Sequence, residues 1–488
     1  MSKPPFMTNR RQVIIGGLSA ALIAGCAPRN ARSVTETDVL VIGGGIAGIS
    51  AALRLEAEGV NVQLIEADKQ LGGRCFTLRT ADGTFDCGAS TVGPNYGNIL
   101  SYAHEADVPF IAPPGKEKFS YHINGEFVHP DAWETSTANR LVGSERGILP
   151  EQLEFPVVMK NNKIQDVTNW NSEEMLNYDI ALDRYLKENG VSDEALRLID
   201  LTSNTMGLGQ TSALFQMREF AGIDTPKKGD KVREVYDAAN GPAGFYNVKG
   251  GMLTMIERIA TLLKTEPMLG DPVVAIDVEK DGATVTMASG TKMRAKSIIC
   301  TVPYSVLRSI AITPAPTGPK KAAIDNALYT LTTHVFFIPT KPYWEDDGHP
   351  AGLVSDDVIE RVMANHDENG KVSWLDVWMN GTAAATMDSM TEQEMMAFAQ
   401  ARLEKMRPSM KGAIMPVGAY SWGQNKFVKG NKYIMRPGDA RDMYPWLAEP
   451  YMDRLRFAGE HTRDYEAGLE AAATSGLREA MAYLDLFA

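Results

Sequence analysis

A glycine-rich turn at residue 43 constrains the fold of this chain more than any other feature of its sequence. Residues 37–42 (TDVLVI) form a short apolar run that is typical of a buried parallel strand. GGGIAG follows at residues 43–48, and the Ala- and Leu-rich segment after it, which ends near Gly59, predicts a helix. A second apolar strand over residues 61–65 ends on Glu66. The order strand, turn, helix, strand and acid predicts an α/β, Rossmann-like unit that binds a dinucleotide.

The residues of this motif each have a physical task. Gly43 permits the tight turn, Gly45 lets the backbone approach a pyrophosphate, and Gly48 allows the helix to pack closely on the strand. The helix N-terminus offers free N–H groups and the positive end of its dipole to the phosphates. Glu66 stands where a carboxylate accepts hydrogen bonds from ribose hydroxyls, which suits FAD and NAD equally.

Composition excludes some classes of function. The formal net charge of the 488 residues is −12, and an acidic protein repels phosphate backbones, which argues against nucleic-acid binding. The four cysteines form no C-x-x-C pair and the seven histidines show no ligand spacing, so no metal site is predicted.

The N-terminus has the features of a targeting signal. Arg10 and Arg11 precede an apolar run over residues 13–25, which is too short for a membrane-spanning helix and fits a signal peptide. The paired arginines resemble a twin-arginine export signal, and residues 23–26 (IAGC) resemble a lipobox in which Cys26 becomes lipidated. Residues 1–33 are therefore predicted to be signal peptide and tether. The twin-arginine machinery would export the protein to the bacterial periplasm, and Cys26 would attach it to a membrane surface. The alternatives are a cleaved Sec signal in which Cys26 is incidental, or a short anchor.

Further motifs follow in a diagnostic order. LGGR stands at residues 71–74, and a G-G turn at residues 250–251 opens a helix. In residues 271–303, apolar and polar residues alternate on either side of D-G and S-G turns, as they do in a β-meander. RFAGEHT at residues 456–462 precedes LEAAATSG at residues 469–476. Together with the dinucleotide motif, these stretches resemble the flavin-dependent amine oxidase family, which includes monoamine, polyamine and L-amino-acid oxidases.

The resemblance implies noncovalent FAD, because the family's covalent attachment uses a cysteine near residue 433 and none stands there. It implies that the G-G-R stretch runs along the flavin, that a strand at residues 273–274 faces the adenine, and that a Gly-Glu pair binds ribityl hydroxyls. The helix after that pair points its N-terminus at the flavin, where its dipole stabilises negative charge. The expected FAD contacts are Gly43, Gly45, Gly48, Glu66, Gly73, Arg74, Val273, Val274, Gly459, Glu460 and Leu469.

The resemblance also implies an interleaved architecture and a reaction. The FAD-binding domain takes residues 36–95, 240–305 and 445–488, and an α+β substrate domain takes residues 96–239 and 306–444. The expected reaction transfers hydride from an amine carbon to flavin N5 and yields an imine, which water converts to an aldehyde or ketone. Dioxygen, giving peroxide, or another electron acceptor then reoxidises the flavin.

Two positions depart from the family pattern. The family commonly places a lysine ten residues before a tryptophan, where it holds a water against N5; counting back from Trp344 gives His334 instead. His334 holds the same water or is a packed strand residue. Of the two tyrosines that form the aromatic cage of monoamine oxidases, the first matches Tyr433 and the second falls at Gly468, with Tyr465 as a nearby substitute. A bulkier amine, a polyamine or an amino acid is favoured as substrate.

The sequence leaves the substrate and two other functions open. Arg218 and Arg233 are candidates for gripping a carboxylate, and Asp179, Asp183 and Glu219 read as solvated helix faces. A related flavoprotein that desaturates carbon–carbon bonds or oxidises a porphyrinogen shares the N-terminal motifs. A flavin-binding protein without oxidase activity is the third hypothesis.

Overall fold

Two β-sheets organise the protein. The computed structural model describes residues 35–111, 118–222, 245–367 and 369–487, so the predictions for Arg10, Arg11, Cys26 and Arg233 lie outside the described residues. The strands are β1 (Thr35–Ile42), β2 (Val62–Glu66), β3 (Thr77–Arg79), β4 (Thr84–Asp86), β5 (Phe110–Ile111), β6 (Phe119–Ile123), β7 (Glu126–Val128), β8 (Asn247–Val248), β9 (Met268–Leu269), β10 (Val273–Glu279), β11 (Gly282–Met287), β12 (Lys292–Cys300), β13 (Ala311–Thr313), β14 (Leu328–Tyr329), β15 (Thr332–Pro339), β16 (Gly352–Ser355), β17 (Arg361–His366), β18 (Val372–Asn380), β19 (Ile414–Ser421), β20 (Tyr433–Ile434) and β21 (Leu455–Phe457).

Helices connect and cover these strands. They are α1 (Ile46–Ala57), α2 (Gly97–Glu105), α3 (Glu154–Asn161), α4 (Leu182–Glu188), α5 (Asp193–Thr202), α6 (Ala213–Gly222), α7 (Met252–Ala260), α8 (Tyr304–Leu307), α9 (Gly318–Asn326), α10 (Tyr343–Asp347), α11 (Gly381–Met387), α12 (Glu392–Met406), α13 (Asp439–Asp442), α14 (Tyr444–Ala448) and α15 (Gly468–Phe487). No helix among the described residues is long and apolar enough to cross a membrane.

The first sheet contains the predicted dinucleotide unit. Its order is β13-β10-β11-β12-β1-β2-β9, with β21 also paired to β12. β1 lies between β2 and β12 in parallel register, and its last four residues are fully buried, as the apolar run predicts. β12 pairs antiparallel with β11 through residues 292–295 and parallel with β21 through residues 298–300. One strand therefore links the meander to the parallel sheet.

Glycines bring the helix of this unit close to its neighbours. A Cβ on Gly48 would lie 2.0 Å from the carbonyl oxygen of Gly43, so α1 can pack this near the turn only with glycine there. A Cβ on Gly476 would lie 2.0 Å from the carbonyl oxygen of Ala47, which makes the contact of α15 with α1 equally close. Overpacking of this kind strains a core. These glycines therefore set how α1 and α15 flank the turn.

The β3–β4 hairpin is fastened to α7 by one carboxylate. Asp86 accepts hydrogen bonds from the Thr77 hydroxyl (2.6 Å) and from the backbone N–H of Met252 (2.9 Å), the first residue of α7. A carboxylate at a helix N-terminus satisfies free N–H groups and faces the positive end of the dipole. Burial nevertheless raises the pKa of Asp86 to about 6. One side chain therefore links the two strands of the hairpin to the start of α7.

The second sheet has the order β19-β15-β18-β17-β16-β6-β7. Its central strands are mostly antiparallel, and β15 is buried along most of its length because β18 and β19 flank it. The sheets confirm the mixed α/β class. Residues 34–488 form one compact unit, and the division into a FAD domain and a substrate domain stays a prediction.

Candidate functional site

A cavity of about 520 Å³ opens at the carboxyl ends of β1 and β2 and extends to β15 and β18. The crevice at the carboxyl ends of parallel strands is where open α/β sheets bind ligands. Every expected FAD contact except Gly48 lines it, namely Gly43, Gly45, Glu66, Gly73, Arg74, Val273, Val274, Gly459, Glu460 and Leu469. Segments that are far apart in the chain thus form one continuous wall.

The glycine turn leaves room for a ligand at one position in particular. Gly43 has φ +109° and a Cβ there would collide with the Thr301 hydroxyl, so its role is the turn itself. Gly45 has φ −76°, and the nearest atom to an added Cβ is the carbonyl oxygen of Gly72 at 3.8 Å. A side chain at Gly45 would therefore project into the cavity. This geometry fits a pyrophosphate that passes close to the backbone at the start of α1.

Glu66 is held rigidly at the end of β2. One carboxylate oxygen accepts the backbone N–H of Gly44 at 2.6 Å, and the other accepts that of Asp68 at 2.8 Å. Burial raises the pKa of Glu66, although both amide hydrogen bonds oppose this by stabilising the charged form. The carboxylate retains lone pairs toward the cavity, as the binding of ribose hydroxyls requires.

A buried ion pair marks the middle of the cavity. Arg74 donates from Nη1 to the Glu460 carboxylate at 2.8 Å and to the backbone oxygen of Asn431 at 2.9 Å. Glu460 is 5% exposed, and its Oε1 has no hydrogen-bond partner among the described residues. A buried carboxylate oxygen without a partner is costly unless a ligand satisfies it. A polyhydroxylated chain such as the ribityl part of FAD supplies the missing donors, so the site fits this cofactor.

Two backbone features complete the fit. The register of β10 against β11 shifts between Val273 and Ala275, so Val274 has no ladder partner and its backbone faces the cavity wall. At the other end, α15 begins at Gly468 beside the cavity, and Leu469 lines it. A helix start of this kind stabilises negative charge. Both features lie at the cavity, and their contacts with adenine and with flavin stay predictions.

His334 lies near the cavity without lining it. Its imidazole is 1% exposed on β15, and Nδ1 lies 3.0 Å and 3.1 Å from the two carboxylate oxygens of Asp376. The ring packs 5.0 Å from that of Trp378, which does line the cavity. Sequence reasoning identified the strand but missed Asp376, since only the pairing of β15 with β18 brings the two residues together.

The structure places Tyr433 differently from the prediction. Its ring is 1% exposed inside an apolar cluster, its hydroxyl has no partner among the described residues, and burial raises its pKa well above the usual range. Neighbouring Asn431 and Lys432 line the cavity instead. Side chains alternate across a strand, and Tyr433 pairs with Tyr329 of β14, which turns the preceding residue toward the cavity. The role of Tyr433 in an aromatic cage therefore stays a prediction, and Lys432 is the residue next to it in the chain that lines the cavity wall.

The second half of the expected aromatic cage is also different. Gly468 lines the cavity, and a Cβ there would lie 2.5 Å from the Tyr96 hydroxyl. Tyr96 thus fills the space beside Gly468 from a distant segment, and burial raises its pKa to about 12. Tyr465, the proposed substitute, is 36% exposed and does not line the cavity. No signal in the sequence pointed to Tyr96.

A charged cluster lies behind Lys432. Glu219 on α6 forms ion pairs with both Lys432 and Arg463. Burial alone would raise the pKa of Glu219, but Arg463, Lys432 and Arg218 outweigh it and lower that pKa to about 2. Arg463 and Arg218 are each 1% exposed. The reading of Glu219 as a solvated helix face is therefore wrong.

Arg218 and Glu154 extend this cluster. Arg218 stacks 4.3 Å from the ring of Trp170 and donates to the backbone oxygen of Asp464, while Nε and Nη2 have no partner among the described residues. Burial, with Arg463 nearby, lowers the pKa of Arg218 to about 10. Burial raises the pKa of Glu154 to about 7, partly offset by Lys432. We call Lys432, Glu219, Arg463, Arg218 and Glu154 the cationic cluster, because cations outnumber carboxylates in it.

Comparison with known proteins agrees with the geometry. The family model described as flavin containing amine oxidoreductase matches residues 46–484. The flavin-dependent L-tryptophan oxidase of Lentzea aerocolonigenes is 25% identical over 90% of this chain and 96% of that protein. Human flavin-containing amine oxidase B is 23% identical over 91% of this chain and 85% of its own. The L-amino-acid oxidase of Naja atra is 23% identical over 91% and 87%.

Solved structures share the fold. A putrescine oxidase variant superposes with a TM-score of 0.74 at 19% identity, covering 93% of this chain and all of the other. Cyclohexylamine oxidase from Brevibacterium oxydans superposes with a TM-score of 0.73 at 19% identity, covering 92% of this chain and 99% of the other. At this level of identity the likeness concerns the arrangement of helices and strands.

Proposed function

This chain belongs to the family of flavin-containing amine oxidoreductases, and we propose that within it the chain oxidises an amine that also bears a carboxylate, as an amino acid does. Family membership makes it an FAD-dependent oxidoreductase acting on a CH–NH2 group. The observation that supports the carboxylate is the cationic cluster behind the cavity wall.

The charges of that cluster favour an anion. Lys432, Arg463 and Arg218 supply three positive charges against the one negative charge of Glu219. Glu154, with its pKa raised to about 7, is about half ionised at neutral pH and offsets only part of the excess. This excess of positive charge attracts a carboxylate, and Lys432, the cation of the cluster that lines the cavity, can donate a charge-assisted hydrogen bond to it beside its ion pair with Glu219. A second ammonium, as in a diamine, would instead be repelled.

The similar proteins support the same direction. An L-tryptophan oxidase and several L-amino-acid oxidases are among the relatives, and their names describe amino-acid substrates. Amine oxidase B and putrescine oxidase, by their names, act on substrates without this requirement. The cationic cluster supports placing this chain with the first of these two groups.

The proposed reaction needs a place for FAD and a place for the substrate in the same cavity. FAD, when bound, supplies the two-electron acceptor for the hydride of the amine carbon, and dioxygen or another acceptor takes the electrons afterwards. Lys432 holds the substrate carboxylate, so that the amine end lies toward Thr332 and Trp378. Water converts the resulting imine to a keto acid and ammonia. Glu66, Arg74 and Glu460 serve the cofactor and take no part in the proton chemistry.

Anaerobic absorbance of the purified protein tests this proposal. We expect L-amino acids to bleach the flavin, and the simple amines and diamines of the same panel to bleach it poorly. Lys432→Met should raise KM for the amino acid about 10- to 100-fold, the effect of one charge-assisted hydrogen bond, with a smaller change in kcat. Lys405→Met removes an exposed lysine on α12 and should change neither constant.

The opposite pattern would refute the amino-acid proposal. Bleaching by diamines but not by amino acids would assign the site to polyamines. A flavin that is reduced by dithionite but bleached by none of the amines would favour the desaturase or the non-catalytic hypothesis. Equal effects of Lys432→Met and Lys405→Met would remove the cationic cluster from substrate binding.

We further propose that the protein is exported in its folded state and held at a membrane. The support is the order Arg10, Arg11, apolar run and Cys26 in the sequence, outside the described residues. Replacing both arginines by lysine should retain the protein in the cytoplasm, and Cys26→Ser should release it from the membrane fraction. A periplasmic protein in the lysine variant would instead favour a Sec signal.

A further inference from the structure

His334 and Asp376 form a buried pair with one free acceptor. The imidazole is 1% exposed and the carboxyl group 5% exposed, and Nδ1 lies within 3.1 Å of both carboxylate oxygens. A carboxylate only accepts hydrogen bonds, so Nδ1 carries the proton and Nε2 is left as an acceptor. Nε2 is buried and has no partner among the described residues. Buried acceptors in this state usually bind an ordered water.

The pair lies next to residues that line the cavity, on the same two strands. Thr332, two residues before His334 on β15, lines the cavity, and so do Trp378 and Asn380 of β18. Residues at i and i+2 of a strand share a face, so the imidazole stands on the cavity side of the sheet. Its ring packs against Trp378 at 5.0 Å and Phe336 at 5.8 Å. His334 therefore stands on the same face of the sheet as Thr332 and Trp378, which line the cavity, and its Nε2 is a free polar atom on that face among the described residues.

Amine oxidation needs such an acceptor. An amino acid enters mostly as the ammonium at neutral pH, and an ammonium cannot release a hydride from its carbon until it loses a proton. The other carboxylates that line the cavity lie among the expected FAD contacts: Glu66 accepts two backbone amides, Asp68 follows it after β2, and Glu460 pairs with Arg74 through Oε2 and leaves Oε1 for the cofactor. Lys432 is paired with Glu219. The imidazole combines a free acceptor, Nε2, with a carboxylate in contact with its other nitrogen.

We propose that His334 takes a proton from the substrate ammonium through one water, and that Asp376 is its positioning residue. An N–H bond of the ammonium breaks, its electron pair stays on nitrogen, and the proton passes through the water to Nε2. The resulting imidazolium is balanced by Asp376, and the neutral amine then gives up its hydride. This inference rests on the proposed function, since it presupposes an amine substrate.

Several other titratable groups surround the pair. Tyr420 of β19 is the residue paired with His334 on the neighbouring strand, and burial raises the pKa of its phenol to about 12. On the β3–β4 hairpin, Asp86 and Cys87 feel the charge of Asp376; burial raises the pKa of Asp86 to about 6 and that of Cys87 well above its usual range. Asp86 is therefore the neighbouring carboxyl group to replace in a control variant.

The pH dependence of kcat/KM, measured with an amino acid that bleaches the flavin, tests the inference. Wild type should lose activity on an acidic limb as the acceptor becomes protonated. Asp376→Asn should move that limb to lower pH, because the imidazolium loses its counter-charge. His334→Gln should lower kcat/KM about 100-fold at pH 8, and its residual rate should rise with pH as solvent deprotonates the substrate. Asp86→Asn is the matched control and should leave the limb in place.

The outcomes separate the two proposals. The flavin content and the visible spectrum of each variant show whether its site is intact. If His334→Gln retains no flavin, the pH profile of Asp376→Asn alone tests the inference. If both variants lower kcat/KM equally at every pH, the pair is structural and the inference is refuted. If the limb moves in Asp86→Asn instead, it belongs to Asp86. If no amine bleaches the wild-type flavin, the proposed function fails and the inference with it.

Discussion

Gly45→Ala is the sharpest test of how the glycine turn binds FAD. In most proteins a glycine-to-alanine change acts on the fold, but at Gly45 the backbone has φ −76° and accepts alanine without strain. The nearest protein atom to the new Cβ is the carbonyl oxygen of Gly72 at 3.8 Å, an ordinary van der Waals contact. The added methyl group therefore has one ordinary protein contact and otherwise projects toward the space where we expect the pyrophosphate.

The magnitude follows from the same geometry. The free energy of unfolding of the apoprotein should stay within about 1 kcal/mol of wild type, since alanine stiffens the unfolded chain but is a poorer helix cap. A methyl group that displaces a tightly packed pyrophosphate should cost about 1–3 kcal/mol, as overpacking does in cores. That corresponds to a Kd for FAD raised about 5- to 160-fold.

Gly48→Ala provides the matched control. Its added Cβ would lie 2.0 Å from the carbonyl oxygen of Gly43, so the backbone itself must shift. We expect a lower Tm in the apoprotein and a weaker Kd only as a consequence. The assay is thermal unfolding of both apoproteins without FAD, followed by titration with FAD while flavin fluorescence is recorded.

Two results would refute the reasoning. A Gly45→Ala protein that binds FAD as tightly as wild type would mean that the pyrophosphate does not pass this residue. An apoprotein of Gly45→Ala as unstable as that of Gly48→Ala would mean that both glycines serve packing.

Three further predictions concern charge and packing. Burial lowers the pKa of Lys320 to about 7, and its amine lies 3.5 Å from the centre of the Phe457 ring. An unfolded lysine stays protonated to about pH 10.4, so between these values unfolding takes up a proton and stability rises with pH, by at most about 1.4 kcal/mol per unit. Lys320→Met should abolish that rise in urea unfolding at pH 7.5 and 9. Glu66→Gln replaces the charged acceptor of the Gly44 amide and should weaken FAD binding about 10-fold or more, measured by fluorescence titration. Gly476→Ala places a Cβ 2.0 Å from a backbone oxygen of α1 and should lower Tm in calorimetry; an unchanged Tm would contradict this close packing.

Contiguous motifs were predictable because their geometry is local. The strand, turn, helix and acid from residue 37 to Glu66 lie where the sequence indicates, since each step follows from the backbone conformation of a few neighbouring residues. The meander after residue 271 was readable for the same reason, as its turns stand in the sequence beside the strands they join.

The register of β20 near the proposed substrate position was not predictable from the sequence. Whether Lys432 or Tyr433 faces the cavity depends on the pairing of β20 with β14, which lies more than a hundred residues earlier in the chain. A shift of one residue exchanges the two faces, and the sequence around residue 433 contains nothing that sets it.

The sequence by itself determined that the chain builds a dinucleotide crevice and has the motifs of a flavin-dependent amine oxidoreductase. The tertiary structure alone decided which side chains meet near the proposed substrate end of the cavity: Tyr96 beside Gly468, Glu219 between Lys432 and Arg463, and Asp376 beside His334. The physical reason is distance along the chain. A cofactor site made of backbone turns is encoded where it stands, whereas a substrate site made of side chains is assembled from segments that only the packed sheets bring together.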